Sequence, residues 1–161
     1  MPHIVGIINL KGGVGKTTLT VGLAEFLSAR HRKRVLVIDL DPQTSATLML
    51  IGERRWRALN EARHTIATLF QNSIDPGVHP FDLERTLQVG VSNVIDAKTI
   101  DLLPSSLDLI DAQDRLAQVP AGPFFAQNPL DVLMRAISGQ VAGYDIVLVD
   151  CPPSLGLITL N

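Results

Sequence analysis

The sequence predicts an α/β fold, a mostly parallel twisted sheet with helices on both faces. Three observations carry that expectation. Short apolar runs rich in Ile, Val and Leu recur at residues 3–10, 34–40, 99–103 and 144–149, the profile of strands covered on both sides. Between the first two lies a stretch of helical periodicity, about one crossover in length. A strand, a helix and a strand in that order place the two strands parallel in one sheet.

Residues 3–10 (HIVGIINL) are read as a first strand buried on both faces, stopped by Gly12 and Gly13. From Lys16 to about Arg30 a helix follows, with Leu19, Leu23, Phe26 and Leu27 at three- and four-residue spacings and the basic His31, Arg32 and Lys33 complementing its dipole. Residues 34–40 (RVLVIDL) form a second buried strand. Helical pieces are expected near 46–50, 65–71 and 82–88, separated by turn-like stretches such as NSIDPGVHP. Residues 99–103 (TIDLL), ended by Pro104, read as another strand, and 106–118 as a helix with Leu107, Ile110 and Leu116 inward. After the loop VPAGPFFAQNP, Asn128 as N-cap and Pro129 at the first helical position open a helix to about Val141. Residues 144–149 (YDIVLV) are the last clear strand, ending at Asp150.

Composition bounds what such a fold does. The chain has 161 residues, with room for one domain and little for a second. Hydrophobic residues at 46% and charged ones at 19% supply a core and exclude the disorder signature. Fourteen Lys+Arg against sixteen Asp+Glu give a net charge of −2, so no global positive field draws the chain to nucleic acid. One cysteine, Cys151, excludes an internal disulfide framework, and the four histidines show no zinc-like spacing. No apolar run reaches the roughly 18 residues of a membrane span, and the N-terminus lacks a basic leader. A soluble, cytoplasmic protein is expected.

The chemistry concentrates at residues 11–18, KGGVGKTT, between the first strand and the first helix. In that context a glycine-rich run becomes a phosphate cradle. Gly12, Gly13 and Gly15 permit backbone angles that gather N–H groups on one concave side, with Val14 between them. The helix N-terminus adds partial positive charge. Lys16 would reach the β- and γ-phosphates, Thr17 would offer its hydroxyl to Mg²⁺, and Thr18 would serve the α-phosphate. Lys11, Asp39 and Asp150 all fall at carboxyl ends of strands, where ligand crevices of parallel sheets lie.

The usual form of this loop has Gly where Leu10 stands here, and a second lysine, Lys11, stands beside it. KGGVGKTT thereby resembles the deviant Walker A box of the ParA/MinD family of P-loop ATPases, on the Soj-like ParA side. Two further motifs carry the resemblance: DLDPQ at 39–43, similar to that family's A′ box and first switch, and LVDCPPS at 148–154, similar to its Walker B and second switch. IDLLPSSLDLIDAQDRL at 100–116 is similar to its intervening strand and helix. The resemblance implies one P-loop NTPase domain over residues 1–161, the N-terminal portion of a longer family domain. It implies an Mg-ATP-dependent ATPase of plasmid or chromosome partitioning. Such a protein forms an ATP-dependent homodimer and cycles on and off non-specific DNA under a ParB-like centromere-binding partner. Its DNA surface would lie mostly outside this chain, on the nucleoid, with no membrane contact.

The resemblance also assigns roles. Lys11 would cross to the partner's phosphates in a nucleotide-sandwich dimer. Asp41 would position the attacking water, Asp150 would hold Mg²⁺ through water, and Asp39 would shape the Mg²⁺ surroundings. Family members run well beyond the length of this chain, and their first strand is central, so here it is expected to be left as an exposed apolar edge. Two alternatives compete: a MinD-like membrane-cycling ATPase, which needs an amphipathic helix not seen in residues 1–161, and a nucleotide-binding scaffold with little turnover. A nitrogenase-iron-protein-like reductase is disfavoured by the single Cys.

Four other features take plainer readings. Cys151 is read as a packed thiol. Arg54, Arg55, Arg57 and Arg63 around Trp56, diluted by Glu53 and Glu61, are read as a solvated face. Phe124 and Phe125 are read as core anchors. Ser154, after two prolines, resembles switch geometry more than a nucleophile.

Overall fold

The computed structural model describes residues 2–11, 13–77, 80–118 and 129–153. Its strands are β1 (His3–Ile7), β2 (Val35–Asp39), β3 (Ile100–Leu103) and β4 (Ile146–Asp150), arranged β1-β4-β2-β3. Each neighbouring pair is parallel, as the strand–helix–strand order requires. The register sets Ile7 and Asp39 on either side of Asp150, so three strands end at one level.

Alternation along the strands divides the core. Leu36 and Ile38 of β2 join Leu103 and Val147 against α3 (Ile66–Ile74), α5 (Leu109–Gln118) and α6 (Pro129–Val141), through Phe70, Leu109 and Ile137. Val35 and Val37 face the other way, with Ile100, Leu102 and Leu148, against α1 (Lys16–His31) and α2 (Ser45–Glu61). A side chain of this size contributes roughly 1.5–3 kcal/mol when fully buried. Both faces of β2 are therefore covered, and the α/β fold with helices on both faces is the one observed.

Several elements differ in detail from the sequence reading. The first strand stops at Ile7, and His3–Gly6 are exposed rather than buried. Among the described residues β1 is at the rim of the sheet and pairs only with β4, so the apolar-edge expectation holds and the buried-strand one does not. In α1 the residues against the sheet are Thr20, Val21, Ala24 and Ser28, while Leu19 and Phe26 are 59% and 53% exposed. Small residues on that face let the helix approach the strands closely. The piece expected at 46–50 extends to Glu61, with a break at Gly52, whose φ of 72° is open to glycine.

The piece expected at 82–88 is only one turn, α4 (Leu83–Thr86), N-capped by Asp82 through the Arg85 N–H. Gln88 instead bridges antiparallel to Leu102. α5 starts at Leu109, three residues later than expected, and this changes its phase. Leu109 and Ala112 point into the core, whereas Leu107 and Ile110 are 57% and 51% exposed. The Leu116 side chain, the Asn128 cap and the loop carrying Phe124 and Phe125 lie outside what is described.

Candidate functional site

The connection from β1 to α1 is built on glycine. Gly13 and Gly15 have φ of 71° and 84°, and a Cβ at either would meet nothing within 4 Å. The requirement is conformational, since L side chains rarely adopt such angles. Gly15 N-caps α1 without a side-chain hydrogen bond, and no acidic residue stands in the first turn. The leading N–H groups thus keep their partial positive charge, a fit to an anionic group such as phosphate. Lys11 and Val14 are exposed on this loop, and Lys16 and Thr17 are half-buried at the head of the helix, followed by exposed Thr18. The Lys11 N–H donates to Asn9 Oδ1 at 3.0 Å. Gly12 lies outside the described residues.

Asp150, at the end of β4, is tied directly to that helix head. The Thr17 hydroxyl donates to its Oδ2 at 2.8 Å, and the Thr20 hydroxyl lies 3.0 Å from both its Oδ1 and the Lys16 carbonyl. Burial pushes the Asp150 carboxyl above its ordinary value, and the two threonine hydroxyls oppose that shift. A hydroxyl and a carboxylate side by side are hard oxygen donors that suit Mg²⁺. Among the described residues no three His, Cys, Asp or Glu gather to hold a metal unaided. A cation here would complete its shell with water and phosphate oxygens.

The second group of carboxylates is organised differently. Asp39 is fully buried at the end of β2. Its Oδ1 accepts from the Asp41 N–H at 3.1 Å, and its Oδ2 accepts from the Thr47 N–H at 2.9 Å and the Thr47 hydroxyl at 2.7 Å. Both oxygens therefore serve the chain, holding the first turn of α2 as a cap would. In this geometry Asp39 acts on the Asp41 loop and on α2 through both oxygens. Burial, the largest cause, raises its pKa to about 7, opposed by the Thr47 bonds, with Asp150 adding to the rise. Asp41 is 7% exposed, and its Oδ1 accepts from the Gln43 N–H at 2.9 Å.

The site thus brings together Lys16, Thr17, Asp150, Asp39 and Asp41 at one end of the sheet. Thr20, Thr47 and Ser105 belong to the same polar group and were not singled out from sequence. Thr20 had a signal, standing one turn after Thr17 on the same helix face; Thr47 and Ser105 had none, because their partners are distant in sequence.

The remaining features are structural. Cys151 is buried 3.7 Å from the Val149 carbonyl, and burial pushes its thiol up to about 11. That is a packed, unreactive thiol. Arg55 donates twice to Gln88 Oε1, Arg57 pairs with Glu53, and Trp56 Nε1 donates to the Ser105 carbonyl. Ser154 lies outside the described residues.

Known proteins resemble the chain along its whole length. The Soj sporulation initiation inhibitor of Bacillus subtilis is 31% identical over 161 residues, covering 100% of this chain and 54% of that protein. The Soj chromosome-partitioning ATPase of Thermus thermophilus is 38% identical over 158 residues, covering 98% and 49%. The chain spans about half the length of these curated relatives. Among solved structures, cobyrinic acid a,c-diamide synthase from Mycobacterium smegmatis, with a bound ATP analogue and magnesium, superposes with a TM-score of 0.69 at 28% identity, covering 100% of this chain and 55% of that one. The likeness to ParA and Soj proteins expected from KGGVGKTT is therefore found. A family profile described as an AAA domain matches residues 2–161, and the chain belongs to that family.

Proposed function

We propose that this chain is the nucleotide-binding part of an Mg²⁺-ATP-dependent, dimerising ATPase of plasmid or chromosome partitioning. The observation that carries the reading is the junction of the glycine loop and Asp150 through Thr17, at the level where Asp39 ends β2 and Asp41 follows it. The names of the Soj relatives support the partitioning role.

Each residue has a task in that reaction. The leading amides of α1 and Lys16 would bind the phosphates, and Thr17 and Asp150 would hold the cation. Bound Mg²⁺-ATP supplies the phosphoanhydride and the charge neutralisation. Asp41 orients the attacking water. Lys11, exposed on its loop, reaches the phosphates of a second protomer, so a full set of positive charge exists only in the dimer. Contributions of this kind are worth about 10³–10⁵ in rate. ATP-driven association would then govern residence on non-specific DNA, and a ParB-like partner would stimulate release. The cycle would run in the cytoplasm on the nucleoid. Among the described residues no helix is long and apolar enough to cross a membrane.

The test is the sedimentation-derived mass of the full-length protein with and without Mg²⁺-ATP, beside Lys11→Ala. A dimer that forms only with ATP and is lost in the variant, with ATP affinity retained, is the expected result. A mass independent of ATP in the wild type, or an intact ATP-dependent dimer in Lys11→Ala, refutes the reading.

A further inference from the structure

The backbone of Asp41 is gripped on both sides. Its N–H donates to Asp39 Oδ1 at 3.1 Å, and its carbonyl accepts from the Thr44 N–H at 2.9 Å and the Ser105 hydroxyl at 2.7 Å. Gln43 and Thr44 lie within three residues of Asp41, and Asp39 ends the buried strand β2 just before it. Ser105 comes from the turn after β3, 64 residues further along the chain.

Ser105 is itself anchored. It is fully buried, its N–H donates to Thr47 Oγ1 at 3.0 Å, and its carbonyl accepts from Trp56 Nε1 at 3.1 Å. On one side the Pro104 carbonyl receives the Ile66 N–H at 2.9 Å, and on the other the Ser106 hydroxyl donates to Asn60 Oδ1 at 2.7 Å. The bonds Asp39–Asp41, Asp41–Ser105, Ser105–Thr47 and Thr47–Asp39 close a ring. Water does not compete for these buried bonds, so each holds its partner firmly.

We propose that Ser105 is a positioning residue for Asp41, fixing the loop that carries the water-orienting carboxylate to the rigid end of β3. The proposal rests on the ATPase reading above. Orientation matters because small misplacements of a catalytic group carry large rate penalties. Ser105→Ala deletes a single bond: the Asp41 carbonyl keeps the Thr44 N–H, and the alanine backbone keeps Thr47 and Trp56. The variant therefore folds, with the Asp41 carbonyl released from the turn after β3 while its N–H stays on Asp39.

The experiment measures wild type, Ser105→Ala, Asp41→Ala and the double variant of the full-length protein. The readouts are kcat, KM for ATP, and amide hydrogen exchange of residues 41–44 without nucleotide. Ser105→Ala is expected to lower kcat about tenfold at unchanged KM, the worth of one hydrogen bond. It should also speed exchange in the nucleotide-free protein, and the double variant should be no slower than Asp41→Ala. An unchanged kcat and exchange in Ser105→Ala, with hydrolysis lost in Asp41→Ala, overturns the role of Ser105 alone. Hydrolysis that survives Asp41→Ala overturns the ATPase assignment of Asp41 and this inference with it.

Discussion

Residues 11–18 and residues 39–47 meet at one end of the sheet, yet the first stretch is largely exposed and has an uncapped helix head, whereas Asp39, Asp41, Thr44 and Thr47 of the second are buried and tied to one another and to Ser105. On the proposed function, the contrast follows from what each stretch would do. Amides that receive a polyanion have to be accessible, and the ligand itself completes their hydrogen bonds. A carboxylate that orients water has to be held before the ligand arrives, and the protein must supply every partner. Substitution of Lys16 should therefore alter ligand affinity and leave stability alone, and substitutions in the buried group should do the reverse.

Lys16→Ala gives the largest expected departure. It should weaken ATP binding about 100-fold, the scale of a charge-assisted contact, with the urea midpoint of the nucleotide-free protein unchanged. Calorimetric titration and denaturation check both halves, and a shifted midpoint breaks the contrast.

Thr47→Val comes next. It keeps the shape but strands the buried Ser105 N–H and removes a donor from Asp39, at a cost of about 2 kcal/mol in unfolding free energy. Its ATP affinity should stay within about twofold of wild type, since a small free-energy change corresponds to a small change in Kd; a larger loss of affinity would show that the two stretches are not separable.

The smallest effect is a pH dependence. With a folded pKa of about 7 against an ordinary 3.8, Asp39 binds its proton more tightly in the folded state. Its contribution to stability therefore falls as pH rises through that window and levels off above it. From pH 6 to 7 wild type should lose about 1 kcal/mol relative to Asp39→Asn, which cannot titrate. A stability difference that stays constant with pH would show that Asp39 is ionised throughout.

How much of this was legible beforehand depended on distance along the chain. The loop at 11–18 could be read from adjacent letters, because on the proposed function the glycines, the lysine and the hydroxyls would act on one ligand from consecutive positions. Asp39, Asp41 and Asp150 could be placed because they end apolar runs. Their partners could not: Asp39 needs Thr47 across a loop, and Asp41 needs Ser105 across a strand and three helices. Periodicity also misjudged faces. Leu107 and Ile110 fit an inward stripe only if the helix starts at 106, and a start at Leu109 turns Leu109 and Ala112 inward instead.

The amino-acid sequence by itself determined the alternation of strands and helices, the parallel pairing that this order compels, and the glycine-dependent loop ahead of α1. These follow from local sterics and hydrophobic period, which neighbouring residues settle among themselves. Only the tertiary structure decided that β2 is buried at every position while β1, almost as apolar, is exposed from His3 to Gly6. Burial is set by how many layers cover a strand, and among the described residues β2 has a strand on either side and helices on both faces whereas β1 pairs with β4 alone.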